Sequence, residues 1–235
     1  MCVYGTQRGV ESVDSSTDNY TNILESLISI FTIDRGAVRV LLLRKRSEPY
    51  RGYWILPGNI VSKNETIEKN IVNAVDKKLG LKDVYCEQCG VFSNLTRDPE
   101  ERIVAVSYIG LIDSFSALFK REDRYEYETA WFKINDIPKM AYDHSEILKN
   151  NINFLRSKIV HSNVLKSLFP SDFTLPELQR TYEQILGMTL DRRNFRKKFI
   201  NLGLIEDTGD KNKSGNGRPA KLYSFKEDVK ERILF

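Results

Sequence analysis

The sequence predicts a layered α/β domain followed by a smaller module of helices closed by a β-hairpin, and three observations carry that prediction. Residues 20–160 alternate strand-like runs with segments of helical period, as a layered α/β domain requires. From about Val164 the texture changes to short helices and two short strands. Cationic residues also concentrate there: residues 191–221 hold nine Lys or Arg against four Asp or Glu, whereas the whole chain holds 36 against 32.

Met1 to Tyr20 is polar, with Ser15-Ser16-Thr17-Asp18-Asn19, and lacks the apolar core of a secretory signal. A flexible leader is expected over 1–19. Apolar runs bounded by turn residues predict strands at Leu27–Ile33, Val38–Leu43, Val84–Phe92, Ile103–Ile112 and Thr129–Ile134. Between them, Thr66–Leu79 sets Ile67, Ile71, Ala74 and Val75 on one side at helical spacing. A second helix, Ser145–Lys158, repeats Leu148, Ile152 and Leu155 and closes the first domain, which we place at 20–160.

The second domain is placed at 161–235. Thr174 can cap a helix, Pro176 fits its first turn, and Glu177 completes a capping box. Another helix, Asp191–Leu202, stops at Gly203. On a wheel of about 100° per residue, Phe195, Phe199 and Leu202 form one stripe, with Arg193 and Lys197 opposite and Arg196 on the flank. Leu204–Thr208 and Ala220–Phe225 read as strands joined by the Gly/Lys/Asn-rich stretch Gly209–Pro219.

At 235 residues, with 41% hydrophobic and 29% charged content, the chain suits one large or two modest globular domains. No window is apolar for long enough to cross a bilayer, so a cytoplasmic protein is expected. Cys86-Glu87-Gln88-Cys89 has the C-x-x-C spacing of half a zinc site, but no second cysteine pair completes four ligands. Two reduced thiols near a strand are the default reading, and no metal site is expected.

The stretch Gly58–Leu81 carries the most specific pattern. It resembles the Nudix box, G-x5-E-x7-R-E-U-x-E-E-x-G-U with U aliphatic. Glu65, Val75, Gly80 and Leu81 match, while the glycine falls on Asn59 and the arginine on Asn73. The acidic positions fall on Ala74, Lys77 and Lys78. In that family, carboxylates three and four residues apart share a helix face and hold Mg²⁺ against a substrate diphosphate. Here two ammonium groups would repel the cation, and a protonated ammonium has no lone pair to offer. The flanking Val38–Arg44, Arg46-Ser47-Glu48-Pro49, Tyr53–Gly58, Arg97-Asp98-Pro99, Ile103–Leu111, Ala130–Ile134 and Asp143-His144 resemble the ADP-ribose-related branch. The resemblance implies a Nudix-like α/β/α sandwich over roughly 20–155, without catalytic residues.

Helix, turn, basic helix and long hairpin is the layout of a winged helix-turn-helix, whose second helix enters the DNA major groove while the wing touches phosphates. Phe173-Thr174-Leu175, Leu178, Tyr182-Glu183, Gly187, Asp191–Lys198 and Gly217-Arg218-Pro219 resemble the C-terminal domain of Nudix-related transcriptional regulators. That family includes NrtR-like repressors of NAD metabolism and arabinose-responsive regulators. The resemblance implies a homodimeric regulator, a repressor in this reading, that binds a palindromic double-stranded DNA operator and senses a small molecule. Arg192, Arg193, Asn194, Arg196 and Lys197 are expected in or beside the groove, with Lys211, Lys213, Arg218 and Lys221 on phosphates. Arg44, Arg46, Glu48, Trp54, Arg97 and Arg102 are expected around an anion-friendly pocket for ADP-ribose or a related NAD metabolite. Two alternatives stand beside this: a pentose-responsive regulator of the same build, and a hydrolase of ADP-ribose-like substrates using Glu65, Glu68 and Asp76 with Glu100 or Glu101. No cofactor is expected.

Overall fold

The computed structural model of the chain describes residues 22–118, 128–169, 172–212 and 219–226. The expected leader over 1–19 lies outside them. Ile23–Asp34 (β1) begins four residues before the predicted strand and lies at the centre of a mixed sheet. Ala37–Arg44 (β2) pairs antiparallel with its second half, and Gly58–Ile60 (β4) pairs antiparallel with Glu25–Leu27. Trp54–Ile55 (β3) extends β2 on its outer edge. Tyr85–Phe92 (β5) pairs with Ile103–Leu111 (β6), which runs parallel to β1, and Glu128–Lys133 (β7) pairs with β2.

Alternation along β1 and β6 divides the core between the two faces of the sheet. Ile28, Ile30, Val106 and Tyr108 meet Ile71, Val75, Leu79 and Leu81, contributed by helix Ile67–Asn73 (α1) and the turns that follow it. Leu27, Phe31, Ala105, Ile109 and Leu111 meet Ile147, Leu148, Leu155 and Ile159 of helix His144–His161 (α3). The short helix Ser114–Leu118 (α2) follows β6. The arrangement is the α/β/α sandwich expected. Asn151 of α3 is fully buried, yet fully used: it accepts from Ser107 Oγ and donates to Ser29 Oγ and the Tyr108 carbonyl, all at 3.0–3.1 Å. Cys86 and Cys89 lie on β5 with a register shift beginning between them, and they pack into opposite core clusters. Burial pushes the two thiols up, to about 11 and about 12, the signature of inert packed cysteines.

A 3₁₀ turn, Val164–Leu168, buries three side chains and leads to Phe173–Thr174 (β8). Helix Leu175–Leu186 (α4) carries the predicted capping box: Thr174 Oγ1 accepts from Glu177 N, and the Glu177 carboxylate accepts from Thr174 N at 2.8 Å. Gly187 ends the helix in the left-handed region. Helix Arg192–Asn201 (α5) is capped by Asp191, and strands Ile205–Asn212 (β9) and Ala220–Phe225 (β10) form the wing, with β8 completing a three-stranded sheet. Phe195 and Phe199 point inward and meet the Tyr182 ring edge-on at 5.6 and 5.2 Å.

The two parts are fastened together through α4. Gln184 spends both ends of its amide on the β1–β2 turn: Oε1 accepts from Val38 N and Nε2 donates to Gly36 O, each at 2.8 Å. Arg156 of α3 donates to Ile185 O at 2.7 Å. Replacing Gln184 with Ala leaves those two backbone groups without their partner, so Gln184→Ala should lower stability by about 1–2 kcal/mol in urea unfolding followed by fluorescence.

A candidate ligand cavity and a candidate nucleic-acid interface

A cavity of about 360 Å³ opens at the β3–β4 end of the sheet. Its walls come from six separate stretches of chain, and its polar lining includes Glu25, Lys45, Lys78, Arg97, Tyr142 and His144. Arg97 anchors one wall. Only 3% of its side chain is exposed, and its Nε and Nη2 grip both oxygens of Asp143 at 3.0 and 3.1 Å. Its two terminal nitrogens also reach Glu25 Oε2 at 3.4 Å. Asp143 stands at the N-cap of α3 but makes no side-chain cap bond, because its carboxylate is engaged by Arg97. Burial raises the Glu25 carboxyl from its ordinary value, with Arg97 pulling the other way.

His144 is buried beside this triad, and its Nδ1 accepts from Leu56 N at 3.0 Å. That bond places the proton of the neutral ring on Nε2. Desolvation, helped by the Arg97 charge, lowers the imidazole to about 3, so the ring stays neutral at physiological pH. Tyr142 sits at the rim with φ of 54°, a left-handed conformation that is costly for a bulky side chain. It stacks edge-on against Tyr50, itself at φ 68°, with ring centres 4.8 Å apart. Lys45 Nζ lies 5.8 Å from the Tyr142 ring centre.

The box helix differs from its sequence reading. Residues 66–79 were expected to form one α-helix, but α1 gives way to a π-helical turn at Ala74–Lys78. The two lysines then separate: Lys77 is exposed, while Lys78 lines the cavity and donates to Gly58 O at 3.2 Å and Asn59 Oδ1 at 3.1 Å. Gly58 is required there, since a Cβ would lie 2.2 Å from Ser26 O across the β1–β4 pair. Glu65 is occupied structurally. Its carboxylate accepts from Ser62 N, Asn70 Nδ2 and, at 3.5 Å, Asn73 Nδ2. These bonds hold the half-buried carboxyl below its ordinary value. Among the described residues no group of three or more His, Cys, Asp or Glu side chains is placed to hold a metal. With Ala74, Lys77 and Lys78 at the acidic positions, the donor set of the box helix does not fit a divalent cation.

The basic helix presents Arg192, Arg193, Asn194, Arg196 and Lys197 to solvent, all exposed. On the wing Lys211 faces Lys221 directly across the β9–β10 ladder, and like charges so placed oppose pairing. Lys221 is also tied to Asp207, which raises its ammonium group, and Arg196 is close enough to pull it slightly down. Arg196 of the helix and Lys221 of the wing thus lie near enough for their charges to interact. Lys213 and Arg218 lie outside the described residues.

Residues 164–225 match the family described as the NrtR DNA-binding winged helix domain. The chain is 33% identical over 204 residues to the ADPR responsive transcriptional repressor NtrR of Acinetobacter baylyi, covering 84% of this chain and 80% of that protein. The chain belongs to the NrtR family of Nudix-related transcriptional regulators. Among solved structures, Shewanella oneidensis NrtR complexed with a 27mer DNA superposes with a TM-score of 0.77 at 28% identity, over 90% of this chain and 97% of that one. The chain is also 30% identical over 131 residues to an ADP-ribose pyrophosphatase of Methanocaldococcus jannaschii, covering 56% of this chain and 76% of that enzyme. No helix among the described residues is long and apolar enough to cross a membrane.

Within this NrtR-family fold the six residues read from sequence as effector-binding do not gather in one place. Arg97 lines the cavity. Arg44 and Arg46 line a separate open depression with Arg51, where Arg44 is paired with Glu128 at 3.2 Å. Glu48 is exposed on the same loop. Trp54 packs edge-on against Phe132 with ring centres 4.7 Å apart, and Arg102 holds the carbonyls of Ser93 and Asn94. Sequence reasoning gave no lining role to Glu25, Lys45 and Tyr142, which the β1, β2 and β7–α3 segments bring in from far apart.

The depressed His144 fixes a pH dependence. The unfolded imidazole takes its proton near pH 6.5 and the folded one near 3, so stability is full above 6.5 and is lost as pH falls through that window. Between pH 7 and 5, wild type should lose about 2 kcal/mol more than His144→Gln in urea unfolding.

Proposed function

We propose that the protein is an ADP-ribose-responsive transcriptional repressor. Its Nudix-like domain, residues 20–160, would bind the effector in the cavity between Lys78 and Arg97, and its winged helix, residues 161–235, would bind the operator. The observation that carries this reading is the similarity to the A. baylyi repressor over 84% of this chain, joined to a box helix whose donor set does not suit a metal. Arg192, Arg193, Asn194, Arg196 and Lys197 read the major groove, while Lys211 and Lys221, with Lys213 and Arg218, anchor phosphates. Two copies of the chain place two recognition helices on one palindrome. Occupancy of the cavity favours one arrangement of the dimer over another.

The same reading makes the protein a regulator without hydrolase activity. The similarity to a pyrophosphatase supports the fold of the first domain and its affinity for ADP-ribose-like molecules. Catalysis would need oxygen ligands for the metal at positions that Ala74, Lys77 and Lys78 occupy.

ADP-ribose should change operator affinity by about 5–150-fold in fluorescence anisotropy, the span of an ordinary coupling free energy. Arg193→Ala should cost about 1–3 kcal/mol on the operator and flatten the sequence preference. Incubation of ADP-ribose with the protein and Mg²⁺ or Mn²⁺ should release no AMP. Metal-dependent release that Glu65→Gln abolishes would establish the hydrolase instead.

A further inference from the structure

The mismatch between the box helix and a divalent cation leaves a question of charge. A diphosphate brought into this cavity meets Glu25 and Asp98 on the lining and no bound metal charge to offset them. Arg97 on the same lining is committed to Asp143 and Glu25, and Lys45 also lines the cavity; Lys78 is the cation that the box helix itself supplies, and it is held in position. Its ammonium has three N–H donors. Two are directed at Gly58 O and Asn59 Oδ1, at 3.2 and 3.1 Å, which fixes the nitrogen against the β4 backbone at the cavity wall. The third remains for a ligand. The π-helical turn Ala74–Lys78 accompanies this placement, with Lys78 at the cavity and its neighbour Lys77 in solvent. Gly58 lets β4 approach β1 closely enough for the carbonyl to reach the amine.

We propose that Lys78 is a tethered cation that takes the place of a divalent metal, binding the effector's diphosphate directly, so that effector binding needs no Mg²⁺. The proposal rests on the assignment of the cavity to an ADP-ribose-like effector. A single fixed charge supplies binding without the Lewis acidity that cleavage of the diphosphate would require. Lys45, which also lines the cavity beside Tyr142 and donates to Ser47 Oγ and Glu48 O, adds a second positive charge to the lining.

The test is calorimetric titration of the full-length protein with ADP-ribose, adenosine and inorganic pyrophosphate, each in EDTA and in Mg²⁺. Wild type should bind ADP-ribose equally well in both buffers, within about twofold. Lys78→Met should weaken ADP-ribose and pyrophosphate by about 10–100-fold, as the loss of a charge-assisted hydrogen bond does, and leave adenosine unchanged. Lys78→Arg should recover part of the loss, and thermal unfolding of each variant shows that it is folded. Strict dependence of wild type on Mg²⁺ would overturn the proposal, as would Lys78→Met binding ADP-ribose as tightly as wild type. If ADP-ribose binds under neither condition, the effector assignment fails. Pyrophosphate binding that depends on Lys78 would then still uphold the tethered cation, and its absence would remove that as well.

Discussion

Arg97 carries a permanent positive charge to a place where 3% of its side chain meets water. Unpaired, that charge would cost on the order of several kcal/mol, so the fold must bring carboxylates to it. It brings two, from different elements: Glu25 from β1 and Asp143 from the start of α3. The Arg97 loop between β5 and β6, the central strand and the first turn of α3 therefore have one relative position that satisfies the charge. The His144 bond to Leu56 N, one residue further along α3, adds the β3–β4 connection to the same knot. The cavity is the space left beside it.

Both elements that hold Arg97 also reach the DNA-binding module at their far ends. β1 runs from Glu25 to the turn at Gly36, where Gln184 of α4 holds both sides of the turn. α3 runs from Asp143 to His161, and Arg156 near its end holds the Ile185 carbonyl of the same helix. Helix α4 in turn supports α5 through Tyr182, Phe195 and Phe199. A strand and an eighteen-residue helix are stiff connectors compared with a loop. The cavity and helix α5 are thus joined through a strand and a helix rather than by a flexible linker.

Much of this was legible in the sequence because the signals were local. The capping box at Thr174 and Glu177, the Phe195–Phe199 stripe and the strand runs each lie within about ten residues of chain, where periodicity and capping rules act. The cavity was less legible because its lining is assembled from segments more than a hundred residues apart, and no local pattern marks Glu25, Lys45 or Tyr142. The arginines of the β2–β3 region drew attention by their charge, yet the strand directs Arg44 toward Glu128 in solvent. The π-helical turn at Ala74–Lys78 was also invisible in the sequence, since the apolar spacing of residues 66–79 fits an uninterrupted α-helix. Cys86 and Cys89, by contrast, were legible, since a strand's alternation sends residues three apart to opposite faces, and the two thiols pack into clusters on opposite sides of the sheet.

The substitutions in the box helix also depend on one another. Ala74 is buried, and an ionised carboxylate at that depth would carry a desolvation cost that only a bound cation or a close ion pair could offset. Lys78 is committed to the Gly58 carbonyl and the Asn59 amide, and Glu65 to Asn70 and the Ser62 backbone. Asn70 in turn receives the Ser26 hydroxyl of β1 at 2.6 Å and donates to Ile60 O. These residues form a hydrogen-bond network that ties α1 to β1 and β4. A single carboxylate placed at position 77 or 78 would therefore not build a metal centre: at 77 it would stand in solvent, and at 78 it would face the oxygens that hold the ammonium in place.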